Sequence, residues 1–483
     1  MGFLDDIGDE VTGFIAWLWN KLDPPERKTW CAAFYFVAQE DATIEYPENA
    51  LDQKMADAVA AVTSAASSVD DYVHVVYRTV PSDPVTSDPV AKVVRFLGPE
   101  TGSIFFPDCY DPGTTLALLD TGKDLTCFLK WVYRWCPADH YAIFIWGHSF
   151  GPAGLFEPGS GLSIPQPGLE ALKEAFQQFQ ATRVAGDPKP PPVDKRQDAS
   201  SGAGSSALEP WANDVDKKVE IILFQDCWMS TLETAFEIES STAGMIASQS
   251  LLPVGLLYAN FVWRYDHLLP LLPRLAPGEP LTDAFARAMT NELITFYVDH
   301  FNQVQYLSTI PITLLDLSKV PPLKNLMATL VGKLKGLPAA ERKNLIELAR
   351  LVKLDTTNPY DPILLAGDGA LIDVVELCVK LRSTAWPANG TTQEQQAAQA
   401  AVTALETGLT GLNGLVKVNQ EAHPPTSNDV GFRGVSVFHW PPAGVVTDDF
   451  IREAVRRSVG AYISLQLVQD TNWNELALEH KPQ

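Results

Sequence analysis

Short, nearly continuous apolar runs punctuate the chain at 30–38 (WCAAFYFVA), 72–80 (YVHVVYRTV), 92–97 (KVVRFL), 141–147 (YAIFIWG), 219–224 (VEIILF), 244–249 (GMIASQ) and 435–440 (VSVFHW). Most show little apolar/polar alternation, which is the pattern of strands buried on both faces. Helical spacing falls between them, at 50–67, 124–136 and 168–180, where Leu169, Leu172, Phe176 and Phe179 share one face. Strands alternating with helices predict an α/β fold whose mostly parallel sheet carries helices on both sides.

Other segments break this rhythm. Residues 3 to 22 place Phe3, Leu4, Ile7, Val11, Phe14, Ile15, Leu18 and Leu22 at helical spacing, and DPPERK then interrupts the helix. This amphipathic helix either docks on its own chain or, over residues 1–22, receives an activating protein partner. The stretch 181–217 is rich in Pro, Gly, Ser and charge, so it reads as a mobile loop. Between 259 and 430 the pattern turns mainly helical, with apolar periodicity over 281–299, 339–353 and 370–382. The expected organisation is an N-terminal helix and linker over 1–28, a core over 29–258, a mainly helical subdomain over 259–430, and a strand and helix over 431–483 that return to the core.

With 483 residues and 46% hydrophobic content the chain is long enough to bury a large core. A formal charge of −23, from 36 basic against 59 acidic residues, disfavours approach to phosphates and excludes nucleic acid as a partner. The first residues lack the basic region, uninterrupted apolar core and cleavage site of a secretory signal, and no stretch reaches the length of a membrane span. Six cysteines (Cys31, Cys109, Cys127, Cys136, Cys227, Cys378) show neither a disulfide framework nor zinc spacing. A reduced, cytoplasmic protein is the expectation.

Two of the apolar runs stop at a reactive residue: YAIFIWGHSFG at His148 and VEIILFQDCWMS at Cys227. Ligands of open α/β sheets bind at the carboxyl ends of the strands, so neighbouring strands would bring these side chains to one crevice. A thiolate is a strong nucleophile, and a histidine beside it can take the thiol proton and later protonate a leaving amine. Backbone N–H groups of Cys227 and of the turn starting at Ser149 could hold an oxyanion. Taken singly, a cysteine after an apolar strand is more often a core residue than a catalyst.

The surrounding text changes that weighting. PADHYAIFIWGHSFGPAGLF and IILFQDCWMSTLETAFEIES, followed by MIASQSLLPVGLLY, resemble the clostripain-like cysteine peptidases of the caspase-fold clan. That family joins a strand ending in W-x-H-G to one ending in D-A-C-L-M-S-T-x-E. KTWCAAFYFVAQEDATIE, DTGKDLTCFLKWVYRWCPADHY, TIPITLLDLSKV, IDVVELCVKL, GFRGVSVFHWPP and TNWNELALEH match further landmarks, so that most of 29–480 is covered. The resemblance implies a caspase-like three-layer sandwich and a cysteine endopeptidase acting on protein or peptide substrates. It assigns catalysis to Cys227 and His148, the oxyanion hole to Ser149 and the Cys227 backbone, and substrate contacts to Gln225, Ser248 and Gln249.

Departures from the family pattern carry their own implications. Ser149 stands where the family has glycine, and Gln225 where it has an acid that receives Arg or Lys; the stretch 247–258 also lacks Asp and Glu. A basic P1 preference is therefore not expected, since a buried cation without a partner is heavily penalised. Asp226 reads as a structural hydrogen-bond residue. His140 falls before its strand, at the wrong end, and His439 reads as a packed or partly exposed sheet residue. No cofactor is required; family members may bind calcium, but no EF-hand spacing is present. The alternative reading is a catalytically silent caspase-fold scaffold that binds a protein partner. A further one is a bacterial signalling or defence protease, latent until a partner or an internal cut engages it.

Overall fold

A computed structural model describes residues 28–39, 51–66, 69, 71–80, 96–97, 100–101, 125–126, 128–130, 132–133, 136–147, 149, 169–185, 218–250, 252, 262–272, 283–300, 309–351, 370–384, 386–422, 432–440 and 462–479. The expected N-terminal helix over 3–22 and residues 186–217 of the expected loop lie outside the described residues, as do His148, Cys109 and Cys127, whereas 181–185, also expected to be loop, continue the helix that starts at Leu169.

In chain order the principal elements are β1 (Lys28–Gln39), α1 (Leu51–Ala66), β2 (Tyr72–Val80), β3 (Ala138–Trp146), α2 (Leu169–Ala185), β4 (Val219–Phe224), α3 (Leu232–Ile238) and β5 (Thr242–Ala247). There follow α4 (Asp283–His300), β6 (Pro311–Asp316), α5 (Val320–Lys335), α6 (Ala339–Glu347), β7 (Leu371–Asp373), α7 (Val374–Ser383) and α8 (Thr392–Thr410). The last are β8 (Val416–Glu421), β9 (Ser436–Phe438), α9 (Gln466–Thr471) and α10 (Asn474–Ala477).

Seven strands form the central sheet in the order β8-β6-β5-β4-β3-β1-β2. Strands β2, β1, β3, β4 and β5 run parallel; β6 is antiparallel to β5, and β8 to β6. All nine residues of β3 are buried, as its unbroken apolar text requires of a strand at the middle of a covered sheet. The stretch 259–430 holds helices, as its periodicity predicts, and also supplies β6 and β8 to the central sheet. Of the run 92–97, Phe96–Leu97 is described as a strand, paired with Glu100–Thr101 outside the central sheet.

Strand alternation sorts the aromatic side chains of β1 onto two faces. Phe34 and Phe36 meet Tyr265, and Trp30 meets Phe285 at the start of α4. Tyr35 points the other way, to Phe128, in a cluster that continues through Tyr133 and Tyr141 to Phe179 of α2. Helices therefore cover both faces, giving three layers. This is the α/β sandwich with a mostly parallel sheet that the sequence predicts.

A second, two-stranded sheet pairs β9 with β7, antiparallel. It abuts the segment after β4, where Thr231 bridges Ser436 and the Ser436 N–H donates to the Ser230 carbonyl at 3.0 Å. Helix α3 begins there. Thr231 caps it by accepting the Thr234 N–H, and every residue of the helix is buried, Glu233 and Glu237 included. Burial of two carboxyls is tolerated because each is hydrogen-bonded: Glu233 by the Phe438 N–H and the Tyr462 hydroxyl, Glu237 by the Gln466 N–H.

Candidate active site

Strands β3 and β4 lie side by side in register, Ile145 opposite Phe224. The ladder runs one residue further, where the Gln225 N–H donates to the Ile145 carbonyl at 2.8 Å. Beyond it the two chains are joined by a side chain: the Gly147 N–H donates to Asp226 Oδ1 at 2.5 Å. A third tie follows, as the Ser149 hydroxyl donates to Met229 Sδ at 3.0 Å. Gly147 and Ser149 are the chain neighbours of His148, and Asp226 and Met229 flank Cys227.

Cys227 sits in the turn that closes β4 and is half-buried, whereas Cys31, Cys136 and Cys378 are buried. Its sulfur accepts the Leu252 N–H at 3.4 Å and lies 3.7 Å from the Leu252 carbonyl oxygen. The N–H favours the thiolate and the carbonyl the thiol, so the two contacts fix the place of the sulfur without setting its charge. Burial instead pushes the Cys378 thiol up, which suits an inert core cysteine. Immediately after Cys227, Trp228 holds φ 55°, a left-handed conformation that costs a bulky residue about 1–3 kcal/mol. The turn is over-determined around it: the Trp228 N–H donates to the Ser250 carbonyl at 3.1 Å and the Ser230 N–H to the Ser248 carbonyl at 2.8 Å.

Ser248 and Gln249, expected to contact substrate, follow β5 and are held by hydrogen bonds within the protein. Both are fully buried; Ser248 Oγ accepts the Ser250 N–H at 3.1 Å. Gln249 Nε2 donates to Asp373 Oδ2 at 2.9 Å and to Ser436 Oγ at 2.8 Å, while its Oε1 accepts the Gly434 N–H. These residues brace the nucleophile turn against β7 and β9. Gln225 is also buried, and its Oε1 accepts the Tyr265 hydroxyl at 2.7 Å, leaving Nε2 without a hydrogen-bond partner.

Asp226 is wholly buried, and burial pushes its carboxyl well above the usual carboxylate range against the opposing Gly147 hydrogen bond. His140 lies within β3, which begins at Ala138 and not after it; its ring meets Glu220 at 3.0 Å near the amino end of the strand, opposite to Cys227. His439 is buried after β9, with Nδ1 3.0 Å from Arg350 Nη2. Among the described residues no group of three or more His, Cys, Asp or Glu converges as a metal site, and no helix is long and apolar enough to cross a membrane. Calcium enters none of the chemistry below.

The ties at Asp226 and Met229, and the Gln249–Asp373 brace, were not assigned these partners from sequence. The acid beside Cys227 was visible; its partner, 79 positions away, was not.

Comparison with protein-family models and with curated proteins finds no match. Among solved structures, a secreted C11 cysteine protease from Bacteroides thetaiotaomicron, iotapain, matches with a TM-score of 0.50 at 13% identity, over 92% of this chain and 100% of that one. An inactive zymogen C11 protease from Parabacteroides distasonis matches with a TM-score of 0.46 at 13% identity, over 92% and 99%. The iotapain likeness extends over nearly the whole of both chains. The protein thus has the caspase-like fold of C11, or clostripain-like, cysteine proteases.

Proposed function

We propose that this protein is a cysteine endopeptidase in which Cys227 is the nucleophile and His148 its proton-transfer partner. The observation that carries the reading is the pair of hydrogen bonds on either side of His148, from Gly147 to Asp226 and from Ser149 to Met229, which tie both of its chain neighbours to the Cys227 turn.

In this reaction the thiol proton passes to the imidazole, and the thiolate attacks the carbonyl carbon of the scissile peptide. The N–H groups of Cys227 and Ser149 receive the oxyanion. As the tetrahedral intermediate collapses, the imidazolium gives its proton to the departing amine. Water, deprotonated by the same imidazole, then hydrolyses the thioester and restores the thiol. Gln225 lies two residues before the nucleophile and belongs to the P1 contact region. Latency, relieved by a protein partner acting through residues 1–22 or by a cut in the 181–217 loop, belongs to the same reading, as does a cytoplasmic setting.

The test is hydrolysis of a positional-scanning peptide library by the wild type beside Cys227→Ala. Cleavage by the wild type alone, with thermal midpoints within a few degrees of each other, is the expected result, because a half-buried thiol contributes little packing. Equal cleavage by both proteins would reject it, and a scaffold role would gain if neither cleaved any peptide.

A further inference from the structure

We propose that Asp226 is a positioning residue for catalysis: its carboxyl holds Gly147, the residue before His148, against the Cys227 turn. The inference rests on the Cys227–His148 reading above.

Three observations carry it. Backbone pairing between β3 and β4 ends at the Gln225 N–H to Ile145 carbonyl bond, and the next connection between the two chains is the Asp226 carboxyl itself. The carboxyl is wholly buried and, among the described residues, makes one hydrogen bond, to the residue before His148, while its Oδ2 has no partner among them. Burying a carboxyl with one oxygen left unbonded costs free energy where an apolar side chain would gain it, and the contact with Gly147 is what offsets that cost. On the other side of His148 the tie is a hydroxyl to a thioether sulfur, a weaker acceptor than a carboxyl oxygen.

The charge state fits the same role. Burial holds the Asp226 carboxyl toward its neutral form, so no negative charge is added beside a thiolate that one would destabilise. A neutral acid accepts the Gly147 N–H as an amide would. Asparagine should therefore serve in its place, and alanine should not.

The experiment compares wild type, Asp226→Ala and Asp226→Asn by three measurements: the pH dependence of Cys227 alkylation by iodoacetamide, read on the Cys227 peptide by mass spectrometry; kcat and KM on a cleaved peptide; and the thermal midpoint. For Asp226→Ala we expect kcat to fall about 10- to 100-fold with KM within about twofold, since a misplaced proton acceptor costs on that scale. Its alkylation profile should move toward that of an ordinary thiol, near pH 8.5. Asp226→Asn should recover most of the lost rate and the wild-type alkylation profile. An Asp226→Ala protein with a lower midpoint but an unchanged alkylation profile would overturn the inference and leave a structural role. So would an asparagine variant as impaired as the alanine one. If Asp226→Ala does not fold, the asparagine profile decides alone: superposition on wild type supports the inference, and displacement overturns it. Absence of peptide cleavage by the wild type would count against the proposed function and for a scaffold, whereas the alkylation profiles would still judge this tie.

Discussion

Glu233 accepts the hydroxyl of Tyr462 at 2.8 Å and the N–H of Phe438 at the same distance, which joins the helix after Cys227 to the C-terminal segment. Burial raises its carboxyl from 4.5 to about 7 against these hydrogen bonds. Between those values the folded protein retains a proton that the unfolded chain has released, so stability falls as pH rises through that window. Below it both states are protonated, and above it both are ionised. Glutamine offers the same acceptor without titrating. Thermal scans of Glu233→Gln should therefore show a midpoint that gains on wild type from pH 4.5 to 7 and then levels, each pKa unit corresponding to about 1.4 kcal/mol. A difference that does not change with pH would contradict this.

Gln249 reaches Asp373, Ser436 and Gly434 from the loop that also holds Trp228 and Ser230. Asp373 is itself raised to about 6 by burial, opposed by hydrogen bonds from Glu376, Gln249 and Arg433. Gln249→Ala should lower stability in chemical denaturation by about 1–3 kcal/mol, since it takes the acceptor from the buried Gly434 N–H and one donor from Asp373, which keeps those of Glu376 and Arg433. A loss under about 0.5 kcal/mol, the size of an ordinary surface change, would show that the brace is dispensable.

Selectivity at P1 is the third expectation. With Gln225, and not an acid, two residues before Cys227, peptides with Arg or Lys at P1 should have kcat/KM no higher than those with uncharged residues. Gln225→Glu keeps an acceptor for the Tyr265 hydroxyl and adds a carboxylate, so it should raise relative kcat/KM for P1 Arg by about tenfold or more, the worth of about 1.4 kcal/mol. A wild type already selective for Arg would place the required acid elsewhere in the chain.

Self-processing is read by mass. The cut should fall between residues 186 and 216, in the Pro-, Gly- and Ser-rich stretch that separates the two reactive strands in sequence and carries Lys189, Lys195 and Arg196, Arg183 being in the last turn of α2. Both fragments should remain associated, because β3 and β4 share one sheet. Intact mass in aged wild type with full peptide activity would rule out cleavage as the activating step.

What was legible in the sequence follows from burial. β4 matches its apolar run to the residue because the strand is in the sheet centre, and β3 is fully buried. β8, VKVNQE, was missed: it is the edge strand, mostly half-exposed, and carries no apolar run. β7 spans only Leu371–Asp373, too short for any periodicity. β6 is apolar but sits among helical patterns and begins at Pro311, which demotes a run as a strand. At the site, Cys227 stood out because an apolar run stops there. Gln249 did not reveal its use, since its partner Asp373 is 124 positions away and only the fold brings them together.

Nucleophilic catalysis by Cys227, as proposed, requires a covalent acyl intermediate on its sulfur. Rapid acid quenching of wild type mixed with a peptide ester, followed by digestion and mass spectrometry, tests it most directly. An acyl adduct on the peptide carrying Cys227 is expected, formed in the first turnover, absent from Cys227→Ala and strongly reduced in His148→Ala. An adduct on another residue, or steady turnover with no adduct on Cys227 at any quench time and undiminished in Cys227→Ala, would contradict it.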